Sequence, residues 1–382
     1  MSFVVKSDCI VTAKAQSGTP APRNVWIDGL RGFCVFAVMC THGLVQIPST
    51  SAMANHLASP FVDKGYFAVA TFFVISGFLI TSNTLRRYGQ PGKINFGQFY
   101  TMRVARIMPP LLLFMAIMVL LGYSGIGVFT PPSKQLLWGS VYAALTFQYN
   151  IYYFVANAPG LAHWSPLWSL SIEEMFYLTF PIACFLVRRR LVLVCLLAAL
   201  VIVGPFARQV FTDVFNFWGA ADLLALGCLM AIASDQFRPR LSSLSGLLLG
   251  IGIAVILCVF SFCQVRENFR LTPTLLGFGA GLFLVGAAAA APGPRTSKIV
   301  GAIAALGRAS YEIYIFHAAM IMVLRPPVLA LITMLGAPDL ITQLATSVVL
   351  LAIVYWSCSW LSRSFTEPLN ARIRRFYSGT SG

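Results

Sequence analysis

The sequence predicts an all-α membrane protein, a polytopic bundle of about ten transmembrane helices. Of its 382 residues, 58% are hydrophobic and only 10% are charged, and the mean hydropathy is +0.79. Soluble domains carry about a quarter charged residues, so a water-soluble globular enzyme is excluded. A spanning helix needs about 20 predominantly apolar residues, and apolar runs of about that length recur along the whole chain.

Ten predicted crossings follow from these runs, which are separated by charged residues or by Pro and Gly. In chain order they are residues 28–47, 66–85, 108–127, 168–187, 191–208, 217–234, 242–262, 271–291, 303–324 and 340–362. Residues 1–26 lack the apolar core of a signal peptide, so we expect a cytosolic N-terminal tail. Residues 27–362 form the predicted membrane domain, and 363–382 a basic cytosolic C-terminal tail with no further domain fused to it.

The distribution of positive charge decides whether residues 136–154 form an eleventh crossing. With ten crossings and a cytosolic N-terminus, 21 of the 27 Lys and Arg residues lie on the cytosolic side, as the positive-inside rule requires. An eleventh crossing would move the arginines at 188–190 and the basic C-terminus outside. We therefore expect a re-entrant or interfacial segment at 136–154. The net charge of +15 then indicates topology and not a nucleic-acid partner.

The first crossing carries two polar residues that are costly inside a bilayer. Arg31 and His42 are eleven positions apart, so they share one helix face, about 16 Å apart along the axis. This spacing suits an anionic ligand that Arg31 binds at the cytosolic interface and whose reactive end reaches His42 as a general base. The alternative is an arginine that marks the membrane boundary and a histidine that bonds a neighbouring helix.

The fourth crossing carries a second polar stripe. Ser169, Glu173 and Tyr177 follow each other at intervals of four residues and therefore line one helix face. Two adjacent carboxylates, at 173 and 174, cannot both face lipid, so at least one points into the bundle. Glu173 could orient or polarise His42 as in a general-base pair, or it could form a structural hydrogen bond to a neighbouring helix.

The ninth crossing has a similar stripe formed by Ser310, Tyr314 and His317, at positions i, i+4 and i+7. These side chains could bind a hydroxylated ligand, carry protons or pack between helices. Arg103 and Arg106 lie three residues apart before the third crossing, where they could bind a phosphorylated cofactor or serve as topological charges. Asp222 has no basic neighbour in its own helix, so any partner comes from another one.

Together, seven segments in order resemble acyltransferase family 3, integral-membrane enzymes that O-acylate envelope glycans. These segments are LRGFCVFAVMCTHG (30–43), ATFFVISGFLIT (70–81), FYTMRVARIMPP (99–110), HWSPLWSLSIEEMFYLTFP (163–181), AADLLALGCLMA (220–231), GRASYEIYIFH (307–317) and SFTEPL (364–369). Three positions depart from the family pattern: Met175 replaces a glutamine, Thr366 precedes Glu367 without the common apolar pairing, and Ala220 replaces a basic residue two positions before Asp222.

The resemblance implies an acyl-CoA donor, usually acetyl-CoA. The nine cysteines show no CxxC spacing and the four histidines no paired spacing, so we expect no metal site. The resemblance also implies His42 as the catalytic residue, Arg31 as its essential partner and Glu173 as the acidic residue. The residues that we expect to bind acyl-CoA or the acceptor are Arg103, Arg106, Ser76, Ser169, Tyr177, Asp222, Ser310, Tyr314 and His317.

The function that we predict is transfer of an acetyl or short acyl group from acyl-CoA to a sugar hydroxyl. The acceptor would be an envelope polysaccharide, a lipopolysaccharide or a secreted glycan, and glycan-assembly proteins are expected partners. The expected location is the bacterial inner membrane, with both termini cytosolic. Two other hypotheses are a proton-coupled transporter, which the lack of a recognisable repeat disfavours, and a scaffold within a glycan-assembly complex.

Overall fold

The computed structural model describes residues 23–43, 64–156, 159–210, 216–263, 270–290, 297–336 and 339–379. Within these ranges the secondary structure is helical and contains no β-strand. The α-helices, in chain order, are α1 (Val25–Gly43), α2 (Gly65–Tyr88), α3 (Phe96–Tyr123), α4 (Lys134–Leu145), α5 (Tyr149–Ala156), α6 (Leu167–Leu186), α7 (Arg190–Val210), α8 (Phe217–Gln236), α9 (Arg238–Ser242), α10 (Ser245–Phe262), α11 (Thr272–Ala289), α12 (Lys298–Arg308), α13 (Ser310–Met334), α14 (Asp339–Leu361) and α15 (Glu367–Gly379).

Ten of the described helical segments are long and apolar enough to cross a membrane. They correspond to α1, α2, α3, α6, α7, α8, α10, α11, α13 and the continuous stretch from α14 into α15. This confirms the predicted all-α bundle, and the chain is a multi-pass membrane protein. Helices α4 and α5 together cover most of the segment 136–154, and with 12 and 8 residues they are too short to span a bilayer. This agrees with the prediction that the segment is not a crossing.

The third crossing begins earlier than the sequence pattern predicted. Helix α3 starts at Phe96 and not near residue 108, because the side chain of Asn95 caps it by accepting a hydrogen bond of 2.9 Å from the backbone N–H of Gln98. Arg103 and Arg106 therefore lie on a continuous helix, where three residues bring them to one side of its surface. The helix start consequently positions both guanidinium groups relative to the rest of the bundle.

The ninth crossing is shifted in the opposite direction. The predicted run 303–324 is divided at Ala309, where the amphipathic α12 ends and α13 begins. The spanning helix is Ser310–Met334, so Ser310 lies in its first turn. Hydropathy alone could not find this break, because the residues on both sides of it are mostly small or apolar.

Close backbone contacts join α1 to α12. A Cβ atom added at Gly32 of α1 would overlap the backbone carbonyl of Ile303 in α12, and one added at Gly307 would overlap the carbonyl of Asp28. Small residues let helix backbones approach in this way, which is the usual basis of helix association in membranes. These contacts seat α12 against the N-terminal half of α1, beside the first turn of α13.

Candidate functional site

A polar cavity of about 630 Å³ opens where the N-terminal parts of α1, α3 and α13 meet the C-terminal part of α2. Helix α6 and the region from the π-helical turn 362–366 into α15 complete its wall. Nine of the twelve residues that the sequence identified as candidates line it: Arg31, Ser76, Arg103, Arg106, Ser169, Glu173, Tyr177, Ser310 and Tyr314. The volume lies within the range of roughly 300–1,000 Å³ that is typical of ligand pockets.

The cavity lining is rich in arginine. Eight arginines contribute to it, against five acidic residues: Arg23, Arg31, Arg86, Arg87, Arg103, Arg106, Arg308 and Arg374 against Asp28, Glu173, Glu174, Glu312 and Glu367. Sequence reasoning assigned five of these arginines, all except Arg31, Arg103 and Arg106, to topology alone. The spacing of the eight arginines along the chain carries no signal of a common site, since they come from six different segments. An arginine cluster of this kind favours anionic ligands such as phosphates.

A hydrogen-bonded group centred on Glu173 lies in the cavity wall. The hydroxyls of Ser76 on α2 and Tyr177 on α6 both donate to Oε1 of Glu173. The guanidinium carbon of Arg103 lies 4.9 Å from the centre of the Tyr177 ring, in cation–π geometry. Four of the residues that the sequence singled out on three separate helices thus form one connected group.

A second connection joins α6 to α13 at the cavity. The hydroxyls of Ser169 and Tyr314 are 2.5 Å apart, and the Tyr314 ring packs edge-on against Phe72 of α2, with centroids 5.9 Å apart. The two polar stripes predicted on the fourth and ninth crossings therefore face each other. This arrangement required the helices to pack side by side, which neither stripe specified by itself.

His42 and His317 lie outside the cavity lining and contact each other. Their ring centroids are 5.0 Å apart with the planes inclined at 58°. The ring of His317 is also 5.8 Å from that of Tyr314, which does line the cavity. Tyr314 thus connects the histidine pair to the cavity wall. Glu173, which we expected to orient His42, has its Oε1 bound by Ser76 and Tyr177.

Several buried polar atoms of the cavity-lining residues have no hydrogen-bond partner within the described protein. They include Oε1 of Glu174, Oγ of Ser310, Nε of Arg103 and Oδ1 of Asn370. Buried polar groups are almost always satisfied, so these atoms are available to a ligand. Glu174 was recognised in the sequence only as half of an acidic pair, and its adjacency to Glu173 was the signal that one of them faces inward.

Tyr311 and Glu312 are cavity residues that the sequence analysis did not assign. The hydroxyl of Tyr311 donates to the backbone carbonyl of Ile107 on α3 at 3.1 Å, and the hydroxyl of Thr366 donates to Oε1 of Glu312 at 2.6 Å. These bonds tie α13 to α3 and to the π-helical turn. They therefore hold the wall of the cavity together around Ser310.

Asp222 lies elsewhere, in a completely buried ion pair with Arg208 of α7. Nη1 and Nη2 of Arg208 donate to Oδ1 and Oδ2 of Asp222 at 2.7 and 2.9 Å. Thr274 donates to the same carboxylate at 2.7 Å, and Arg208 also donates to the backbone carbonyl of Gly219 at 2.7 Å. The expected partner from another helix exists, but Asp222 does not line the cavity. The sequence pattern placed Arg208 at the outer end of the fifth crossing, but its side chain is buried inside the bundle.

No group of three or more His, Cys, Asp or Glu side chains within the described ranges is arranged to hold a metal ion.

Comparison with known proteins identifies relatives in Staphylococcus aureus. The chain is 30% identical over 254 residues to "Putative O-acetyltransferase SACOL0978" of strain COL, an alignment that covers 63% of this chain and 36% of that protein. It is 26% identical over 319 residues to "O-acetyltransferase OatA" of strain NCTC 8325 / PS 47, covering 76% of this chain and 49% of the relative. The chain thus spans about half the length, or less, of these curated relatives.

None of the solved protein structures gives a significant match to this chain. A family model described as an acyltransferase domain does match, and it covers residues 24–363, which include every cavity residue described above except Arg23 and those beyond residue 363. The chain therefore belongs to acyltransferase family 3.

Proposed function

We propose that this protein is a membrane O-acetyltransferase that moves an acetyl group from acetyl-CoA, or another short acyl group from its CoA ester, to a sugar hydroxyl. The observation that carries the proposal is the arginine-rich cavity, which leads from one end of the bundle to Tyr314 and the histidine pair beyond it. The names of the S. aureus relatives, both described as O-acetyltransferases, support the same class of reaction.

The cavity suits the donor. Coenzyme A carries several phosphate groups, and guanidinium groups bind phosphates through paired, charge-assisted hydrogen bonds. Arg31 and Arg106 would bind them together with Arg86 and Arg87 at the end of α2. The unpartnered polar atoms of Arg103, Glu174 and Ser310 provide further donors and acceptors inside the cavity. The thioester end would then approach Ser169 and Tyr314.

In the proposed reaction His42 carries the proton and the thiolate of coenzyme A is the leaving group. His42 takes the proton from the acceptor hydroxyl as its oxygen bonds to the acyl carbon. The carbon–sulfur bond then breaks, and the departing thiolate receives the proton from the His42 imidazolium. Glu173, held by Ser76 and Tyr177, contributes negative charge in the arginine-rich cavity and keeps the Tyr177 ring beneath Arg103.

The acceptor would be an envelope or secreted glycan on the face of the membrane opposite the donor. We propose a bacterial inner membrane location with cytosolic termini, so that the arginine-rich mouth faces the compartment that contains acetyl-CoA. Proteins of glycan assembly would be the partners that deliver the acceptor. In this proposal the described residues supply the donor cavity and the histidine pair. The relatives are about twice as long as the region they share with this chain, or longer, so the substrates of the whole protein are also proposed here.

Donor binding tests the cavity directly. Purified protein in detergent should bind acetyl-CoA in calorimetry, and Arg103→Ala should raise the Kd by about 10-fold or more, as expected for loss of one charge-assisted contact. Arg240→Ala is the matched control, because Arg240 is exposed on α9 and does not line the cavity. Equal affinities for the Arg103 variant and the wild type would contradict the assignment of the cavity.

Transfer is tested in cells and with the purified protein. Mass spectrometry of surface polysaccharide should show acetyl groups that are lost both without the gene and in His42→Ala. A His42→Ala variant that still transfers labelled acetyl groups would overturn the mechanism. A wild-type protein that takes up a solute but shows neither acetyl-CoA binding nor transfer would instead identify the transporter.

A further inference from the structure

His42 and His317 bring two imidazole rings together at the end of α1. His317 is completely buried, whereas His42 is partly exposed at the C-terminal end of α1. The two rings belong to helices far apart in the chain, and their centroids are 5.0 Å apart. In a neutral imidazole one ring nitrogen carries a hydrogen and donates, and the other accepts. The tautomer of one ring therefore restricts the tautomer of a ring that is hydrogen-bonded to it.

The hydrogen bonds of His317 determine its tautomer. Its Nδ1 lies 2.8 Å from the backbone carbonyl oxygen of Tyr314 and 3.2 Å from that of Ile313. Carbonyl oxygens only accept hydrogen bonds, so Nδ1 must carry a hydrogen. A neutral imidazole has one N–H, which leaves Nε2 as an acceptor. A charged ring would be costly at this fully buried position, so the neutral tautomer is the expected form.

Nε2 of His317 is then a buried acceptor without a partner. The described protein supplies no hydrogen bond to this atom, although buried acceptors are seldom left unpaired. Two polar rings lie close to the His317 ring, those of His42 and Tyr314, with centroids 5.0 and 5.8 Å away. The Tyr314 hydroxyl is already within hydrogen-bond distance of Ser169, so we take the N–H of His42 as the donor.

We propose that His317 is a positioning residue whose Nε2 accepts the N–H of His42 during catalysis. This bond fixes which ring nitrogen of His42 keeps its hydrogen, so the other nitrogen remains free to take the proton of the acceptor hydroxyl. The proposal rests on the proposed function and assigns to a neutral histidine the orienting role that the sequence suggested for Glu173. A neutral partner orients the ring without placing a permanent charge beside it, and desolvating a charge is costly.

Tyr314 links this pair to the donor cavity. Its backbone carbonyl accepts the Nδ1–H of His317, and its hydroxyl contacts Ser169 in the cavity wall. One residue of α13 therefore fixes both the tautomer of His317 and one end of the donor site. In this proposal Tyr314 therefore fixes the position of the acyl-CoA donor relative to His42, the proton acceptor.

Nitrogen NMR tests the pair without requiring activity. The chain has only four histidines, so protein labelled with ¹⁵N-histidine and reconstituted in bilayers gives few signals, which single His→Gln substitutions assign. We expect His317 to be protonated at Nδ1, and a scalar coupling between a nitrogen of His42 and Nε2 of His317. The coupling should vanish in His317→Phe. Protonation of His317 at Nε2, or no coupling between the two rings, would overturn the proposal.

Kinetics test the positioning role. His317→Gln can place an amide oxygen where Nε2 lies, whereas His317→Phe keeps the ring shape without an acceptor. We expect kcat to fall by about 10²-fold or more in the phenylalanine variant, the contribution typical of a general base, and much less in the glutamine variant. The KM for acetyl-CoA should be unchanged in both. His163→Gln, a buried histidine outside this pair, is the control.

The outcomes separate the two proposals. A wild-type protein with the nitrogen coupling but no acetyl transfer would overturn the proposed function and, with it, the catalytic role of His317. Active protein without the coupling, or equal losses of kcat in the glutamine and phenylalanine variants, would overturn the positioning role alone.

Discussion

Arg208 and Asp222 form a residue-scale contact that is expected to stabilise the bundle. Both side chains are fully buried, and Thr274 and the Gly219 carbonyl complete their hydrogen bonding. Removing one partner of such a pair leaves an uncompensated buried charge, whereas replacing both with apolar residues is often tolerated. The stability of variants of this pair therefore tests whether Asp222 has a structural role or the substrate-binding role that the sequence suggested.

Asp222→Asn should destabilise the protein by about 3–5 kcal/mol, because it leaves the Arg208 charge without its counter-charge. The double variant Arg208→Met with Asp222→Leu should recover much of this loss. Thermal unfolding in detergent, followed by fluorescence, measures both. If Asp222→Asn instead melts like the wild type but no longer binds acetyl-CoA, the carboxylate serves the substrate.

The contacts of individual residues explain why the candidate site was only partly predictable from the sequence. Helical spacing placed Ser169, Glu173 and Tyr177 on one face correctly, since Tyr177 does bond Glu173 one turn away. The pairing of Glu173 with Ser76 was not predictable, because the partner lies 97 positions earlier in the chain. Local periodicity defines faces of a helix, and packing decides what each face meets.

At the scale of elements, α2 and α8 cross with their backbones in contact. A Cβ added at Gly77 would overlap the carbonyl oxygen of Leu224, and one added at Gly227 would overlap that of Val74. Each helix thus presents a glycine to the other. This contact sets the position of Ser76, the neighbour of Gly77, beside Glu173.

Gly77→Ala should lower stability by about 1–3 kcal/mol, because an overpacked contact must separate the two helices. Gly250→Ala is the matched control, since nothing lies within 4 Å of a Cβ at Gly250 of α10. The comparison is made by melting both variants in the same detergent. We expect the Gly250 variant to melt at or above the wild-type temperature, and equal melting of the two variants would contradict the close packing.

The starts of α3 and α13 depend on single residues, and a hydropathy average does not detect their effect. The cap at Asn95 starts α3 early and brings Arg103 to the Tyr177 ring. The interruption at Ala309 puts Ser310 at the start of α13, in the cavity wall. Both differences from the predicted crossings fall at the candidate site. Polar residues at the start of α3 shortened the apolar run there, whereas the small and apolar residues around Ala309 gave no sign of a break.

At the scale of the whole molecule, the arginine-rich cavity opens at one end of the bundle. Its arginines belong to the same loops and helix ends that the positive-inside rule places in the cytosol. Under the proposed function, one set of residues would provide both the topological charge and the charge that binds the donor. A single orientation in the membrane would satisfy both requirements.

Cysteine labelling in a cysteine-free background tests this orientation. Gln135→Cys, on exposed α4, should react with a membrane-impermeant maleimide in intact cells. Gln90→Cys, exposed after α2, should react only after permeabilisation, since the positive-inside rule places this end in the cytosol. The reverse pattern would place the arginine-rich cavity outside the cell and remove it from acetyl-CoA.

The sequence by itself determined that the protein is a helical membrane bundle, that about ten of its segments can cross a bilayer and which helix faces are polar. These properties are local, because a crossing depends on the hydropathy of about 20 consecutive residues and a face on a period of 3.6 residues. Only the tertiary structure decided the partners: Asp222 with Arg208, Glu173 with Ser76, and His42 with His317. Each of these contacts joins different helices, so it is set by how backbones pack and by the requirement that buried polar atoms find partners.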